Sequence, residues 1–286
     1  MTNTSIGAMI RRDVPPSEVP EHARRIQQGF DELWVVEDLP YAGGISQVAA
    51  VLDATTDVIV GHGVAPAPFR NPVALAMEWA TLAELHPGRF AAGIGHGIQA
   101  WMGQIGGRVT SPLALLREQV DVVRRLLAGE TVSIDGRYVQ VDGVSLEFPP
   151  GMPPLVSTGV GGPKSLRLSG SVAQGTILAG IRGPAEILQA RGFISEGQAE
   201  ADVVGHHRLT VFAAFYVGDL EDLPEPDSGD EGLWAAIASR PDAVTEQLRS
   251  LIDAGVDSLI LVPIGRDPGE QLQIAATEIV PALIRT

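Results

Sequence analysis

Apolar residues along the chain gather into short unbroken runs, separated by stretches in which they return every three or four positions. The runs are "SIGAMI" (5–10), "ELWVVE" (32–37), "DVIVGHGV" (57–64) and "RFAAGIG" (89–95), then "PLVSTGV" (154–160), "GTILAG" (175–180), "RLTVFAAFYV" (208–217) and "DSLILVPI" (257–264). Apolar strands divided by helices specify a parallel sheet buried on both faces. The helical spacing predicts helices over 17–28, 44–54, 72–85, 164–173, 184–199 and 241–254, and over the segment after Ser111-Pro112. In that segment Leu113, Leu116, Val120, Val123 and Leu127 recur at helical steps. Pro112 suits the first helical position, and Gly129 follows the basic Arg124-Arg125 end.

No linker divides the chain, so residues 1–286 read as one domain. Eight strand–helix units in this length fit a single (β/α)8 TIM barrel, with a doubly wound sheet as the competing architecture. One segment breaks the alternation: "TVSIDGRYVQVDGVSLEFPPGMPP" (131–154), where Asp135-Gly136 and Asp142-Gly143 separate β-prone runs and predict hairpins. This β-hairpin insertion follows the fourth helix. It therefore starts at the barrel face opposite the catalytic one and suits a structural or subunit-contact role.

Composition removes several classes of chemistry. There are no cysteines, which excludes disulfides, thiolate metal sites and a cysteine nucleophile. The net charge is −15, and no Lys/Arg block interleaved with aromatics appears, so no nucleic-acid partner is expected. No apolar run is long enough to cross a bilayer, and "MTNTSIGAMIRRD" lacks the layout of a signal peptide. A cytoplasmic, soluble protein acting on a small molecule is the expectation.

Two glycine-rich stretches carry the strongest chemical signals. "AAGIGHGIQAWMGQIGG" (91–107) resembles a dinucleotide fingerprint only superficially: its helix is expected to wait until Ser111-Pro112, and Glu118, about twenty residues on, falls inside that helix. Its glycines fit the end of the fourth barrel strand, where bare backbone lets a flat ligand approach; a flexible loop is the alternative. "GVGGPKSLRLSG" (159–170) ends the fifth strand in Gly159, Gly161 and Gly162 and opens a helix at Pro163. Exposed amides there attract a phosphate, and an anion would offset the unfavourable position of Lys164 in the first helical turn. An ordinary strand–helix turn is the alternative.

Glu37 and Asp38 end the second strand on the catalytic face, where they could orient substrate, move a proton or cap the next helix. His62 and His96 end strands three and four; each either lines the pocket or is a partnered, partly buried histidine. Adjacent His206 and His207 point opposite ways on a strand, which argues against a metal pair.

Together "GRFAAGIGHG…W…G", "SPLALLREQVDVVRRLLAGETV…DG", "GGPKSLRLSG" and "NPVALAMEWATLAEL" resemble the luciferase-like monooxygenase superfamily. The branch they are most similar to is the coenzyme F420-dependent, methylenetetrahydromethanopterin-reductase-like proteins. The resemblance spans nearly the whole chain. It implies a (β/α)8 barrel that binds a flavin or deazaflavin at its C-terminal strand ends, usually as a homodimer. Coenzyme F420 is the expected cofactor and FMN the alternative. Hydride transfer to or from a small organic substrate is the expected reaction. An FMN-dependent monooxygenase and a non-catalytic phosphorylated-ligand or cofactor-binding barrel are the other readings.

Carried over residue by residue, the family's third-strand bulge under the cofactor ring falls on Gly63-Val64 and implies a non-prolyl cis bond there, with His62 beside it. Its fourth-strand cofactor contact falls on Gly95, His96 and Gly97. Its phosphate turn falls on Gly159, Gly161, Gly162 and Pro163, with Lys164 next to it and Thr158 and Val160 flanking. Glu37, Asp38 and His96 are the candidate catalytic groups. The sugar-phosphate dehydrogenase branch has a histidine where Asp38 stands and a glutamate near Ile98, so the resemblance fixes neither substrate nor proton donor.

Overall fold

A computed structural model of the protein describes residues 4–181, 183–219, 221, 223 and 235–284. Eight parallel strands close on themselves: β1 (Ser5–Ile10), β2 (Glu32–Val35), β3 (Ile59–Pro66), β4 (Phe90–Gly95), β7 (Val156–Gly159), β8 (Gly175–Leu178), β9 (Arg208–Val217) and β11 (Ser258–Pro263). β9 pairs in parallel with β8 on one side and β11 on the other, and β11 pairs with β1, which completes the ring. This is the (β/α)8 barrel, not an open doubly wound sheet. Helices α1 (Val19–Ile26), α2 (Gly44–Ala54), α3 (Pro72–Leu85), α5 (Pro112–Leu127), α6 (Pro163–Val172), α7 (Pro184–Glu200) and α8 (Pro241–Asp253) connect the strands, close to the predicted spans.

Four elements escaped the sequence reading. α4 (Gln99–Gln104) is a six-residue helix inside the first glycine stretch, so a helix does not wait until Ser111. β10 (Ala235–Ala238) pairs in parallel with the upper half of β9; its alanines carry little strand propensity. After β11, α9 (Pro268–Ile274) continues through a π-helical turn into α10 (Val280–Ile284).

The insertion forms one hairpin, β5 (Val132–Asp135) with β6 (Gln140–Val144), where two Asp-Gly turns were expected. Asp135-Gly136 does open the turn. Asp142-Gly143 instead lies within β6, where Gly143 takes φ +62° and the pairing register shifts, as a bulge requires. The hairpin leaves the C-terminal end of α5 and folds back along it. Glu118 accepts hydrogen bonds from the amides of Arg137, Tyr138 and Val139 at 2.8–3.0 Å. The Tyr138 hydroxyl accepts from the Ser111 amide at 2.8 Å.

Strand alternation sorts side chains between the helix layer and the barrel interior. On β2, Leu33 and Val35 pack outward into the main core, while Glu32 and Trp34 point inward. Trp34 fills the middle of the barrel, meeting Phe212 edge to face at 5.6 Å. A Cβ at Gly61 would lie 2.1 Å from its ring and one at Gly63 2.7 Å, so those two positions must be bare. Its indole N–H donates to Glu32 at 2.7 Å, and Glu32 also accepts from Arg208 at 2.6 Å and Ser258 at 2.9 Å. Every charge placed in the lower barrel thus has partners. We expect Gly61→Ala to destabilise the protein by about 1–3 kcal/mol through overpacking, measured as a lower urea midpoint with an unchanged slope.

Candidate active site

Above Trp34 a cavity of about 460 Å³ opens at the C-terminal ends of the strands. Its floor is made by a break in the alternation of β3. The pairing with β4 shifts between His62 and Ala65, and the Gly63-Val64 peptide is cis, as the family resemblance implied. Both Gly63 and Val64 consequently border the cavity, while Ala65 returns to the outer core. The Val64 methyls occupy the space that a Cβ on Gly95 or Gly159 would need, at 2.5 and 2.7 Å. Bare backbone on the two neighbouring strands β4 and β7 therefore makes room for one isopropyl group.

The second glycine turn behaves differently. β7 ends at Gly159, and α6 begins at Pro163 with Gly162 as its cap. Gly161 and Gly162 are exposed, neither has positive φ, and a Cβ on either would meet nothing within 4 Å. Packing does not require glycine here. The bare backbone leaves the amides at the start of α6 open to an anion. Lys164 is exposed in the first turn, and Ser165 Oγ lies 3.3 Å from His96 Nε2. Burial holds the His96 imidazole below the usual histidine value.

Of the residues singled out in the sequence, Glu37, Asp38, Gly63, Val64, Gly95, His96, Gly97, Gly159, Val160 and Gly161 border the cavity. Gly162, Pro163 and Lys164 continue from it as the start of α6. Two do not reach it. Thr158 faces outward from β7, and its hydroxyl donates to Ser169 at 2.6 Å. His62 is fully buried behind β3, its ring edge-on to Trp79 and close against the bare α-carbon of Gly44. For both, the alternation of their strand turns the side chain to the helix layer.

The two vicinal carboxylates have different surroundings. Glu37 is 5% exposed and takes two hydrogen bonds from Arg70, at 2.6 and 2.7 Å, and one from the Gly44 amide at 2.9 Å. His62 Nε2 stands 3.5 Å from its other side. Burial alone would raise this carboxyl, but His62, Arg70 and the Gly44 amide outweigh it and hold the group at about 2. Asp38 is half-buried at the cavity wall and pairs with Arg12 at 3.1 Å.

Sequence reasoning passed over Arg11, Arg12 and Trp101, all of which border the cavity, and Arg70, which clamps Glu37. The arginine pair was findable, because it ends the first strand on the catalytic face. Trp101 was hidden by the shortness of α4, and Arg70 by its position in a proline-rich loop.

A closed parallel barrel with a cavity at its C-terminal strand ends and an anion-receiving turn after its fifth strand is the architecture of an enzyme-type small-molecule site. The chain belongs to the luciferase-like monooxygenase family, which residues 1–225 match. It is 26% identical to a 5,10-methylenetetrahydromethanopterin reductase of Archaeoglobus fulgidus, over 89% of this chain and 92% of that one. It is 27% identical to an F420-dependent glucose-6-phosphate dehydrogenase of Rhodococcus erythropolis, over 84% and 82%. An F420-dependent secondary alcohol dehydrogenase, solved with an F420-acetone adduct, shares the fold with a TM-score of 0.88 at 19% identity, over 98% and 99% of the two chains.

The clamp on Glu37 carries a prediction. A carboxyl lowered in the folded state stabilises above its unfolded value near 4.5, and that contribution is lost as pH falls towards 2. Arg70→Met should cost about 3–5 kcal/mol at neutral pH by stranding a buried charge. It should also flatten the loss of stability between pH 5 and 3, read from urea unfolding at both pH values.

Proposed function

We propose that this protein is a deazaflavin-dependent oxidoreductase that transfers a hydride between coenzyme F420 and a small organic substrate. The observation that carries this reading is the pairing of a bare, open turn at Gly161-Gly162 with an apolar floor in which Val64 is seated over the bare backbone of Gly95 and Gly159. The first suits the phosphate of a phosphorylated cofactor, and the second suits the face of a flat ring. The similarity to proteins named for F420 supports the same cofactor.

The residues present fit such a group. The amides at the start of α6 and Lys164 would hold its phosphate, with neutral His96 and Ser165 at the near edge. Val64 would support the ring from one face, and Phe212 and Ile177 would keep water from beneath it. Once bound, the deazaflavin supplies the hydride acceptor or donor. In the alcohol-oxidising direction Asp38 would accept the proton of the substrate hydroxyl. Arg12 orients Asp38 and holds the oxygen. Glu37, closed off by Arg70, fixes the segment that bears Asp38 and takes no proton itself.

Two outcomes test this assignment. Gly161→Val should weaken F420 binding at least about tenfold, the worth of one charge-assisted hydrogen bond, with an unchanged circular dichroism spectrum; fluorescence titration reads the affinity. Asp38→Asn should lower turnover by about 10²–10⁴-fold, the usual contribution of a general acid or base, while F420 affinity stays the same. Unaltered affinity in the first variant, or unaltered turnover in the second, would refute the corresponding role.

A further inference from the structure

Among the described residues, each charged side chain that borders the cavity already holds a counter-charge. Arg11 donates to Asp13 through Nε at 3.0 Å and Nη2 at 2.9 Å, and to the Pro263 carbonyl through Nη1 at 3.3 Å. Arg12 pairs with Asp38, and its guanidinium lies over the Tyr41 ring, 5.3 Å from the centroid. Glu37 is closed off by Arg70. The remaining wall on the Arg12 side is apolar, with Met9, Val36, Ala214 and Val262. Tyr41 beside Arg12 and Ile98 on the wall are 48% and 45% exposed, so the approach is apolar as well.

Resting on the oxidoreductase reading, we infer that the substrate is an uncharged, mainly apolar molecule with a single hydroxyl or carbonyl, and that the site excludes phosphorylated sugars. A phosphate ester carries nearly two negative charges at neutral pH. To bind above the ring it must displace Asp13 or Asp38 from its arginine, or remain uncompensated beside apolar walls. Leaving the phosphate uncompensated is costly, because a buried charge without partners is strongly disfavoured. Displacing Asp38 gives up the pairing of Arg12 at the cavity wall, and displacing the half-exposed Asp13 costs less. The net charge of −15 adds a long-range field that slows the approach of anions. A neutral alcohol or ketone meets none of these barriers. Its oxygen needs one donor and one acceptor, which Arg12 and Asp38 provide, and its carbon skeleton replaces water against Met9, Ala214 and Val262. The similarity to glucose-6-phosphate dehydrogenases thus extends to the cofactor end of the barrel and stops at the substrate end.

The test separates this inference from the cofactor assignment. F420 binding is first measured by fluorescence titration, and its absence would overturn the cofactor reading alone. Cyclohexanol, 2-butanol and glucose 6-phosphate are then presented to the protein with and without F420. Binding is read by saturation-transfer NMR and turnover by loss of deazaflavin absorbance. The neutral alcohols should bind in both states and be oxidised by the loaded protein, whereas glucose 6-phosphate should do neither. Binding or turnover of glucose 6-phosphate at the level of the alcohols overturns the inference, and so does failure of the alcohols to bind. Asp13→Asn supplies a second readout, since it releases Arg11 from its carboxylate. Affinity for inorganic phosphate should rise about tenfold in that variant, and no rise would show that charge pairing is not what keeps anions out.

Discussion

The interior of this barrel is organised around one indole. Trp34 is too large for a ring of eight strands unless its neighbours give way, and Gly61 and Gly63 do so by carrying no side chain. Its N–H is satisfied by Glu32, whose charge is in turn held by Arg208 and Ser258. These contacts tie β2 to β9 and β11 across the barrel bottom. They also divide the interior into a small lower chamber of about 220 Å³ and the larger cavity above. Without that plug, the bulge at Gly63-Val64 would have nothing beneath it, and the cavity would have no floor.

The upper chamber follows from a second departure from regularity. A regular β3 would turn Val64 away from the barrel, because alternate residues face opposite sides. The register shift brings Gly63 and Val64 to the cavity together and leaves His62 behind the strand, beside Glu37 and Trp79. The irregularity therefore shapes the binding surface, while the regular alternation just before it places His62 in the buried polar cluster that steadies the segment carrying Asp38. Binding surface and support are two faces of one strand.

Much of this was legible in the sequence, for identifiable reasons. Long apolar runs such as "RLTVFAAFYV" can be little other than buried strands, and Ser111-Pro112 followed by regular helical spacing leaves little freedom for α5. The turn at Gly161–Lys164 was readable because glycine, proline and a first-turn lysine form a local pattern. The Gly63-Val64 bulge came from the resemblance, since no local propensity announces it. Side-chain direction at the strand ends was not legible: Thr158 and His62 sit in register with cavity residues but face the helices. Arg70 could not be linked to Glu37 either, because that pairing depends on how two loops far apart in sequence fold over one another. Short elements such as α4 and β10 lack the length over which periodicity becomes visible.

β8 spans four residues while its neighbour β9 spans ten, and β10 takes over the vacant upper edge of β9. The ring is therefore sealed only along its lower part on this side. Higher up, β8 and β9 part company, and a piece of chain inserted from the connection after β9 lies along the seam. A wall assembled in this way can be lengthened, shortened or exchanged without unpicking the closed ladder below it. Change at the mouth is thereby separated from the scaffold: the breadth of the opening can alter through one connection, while the ring and its central indole stay as they are.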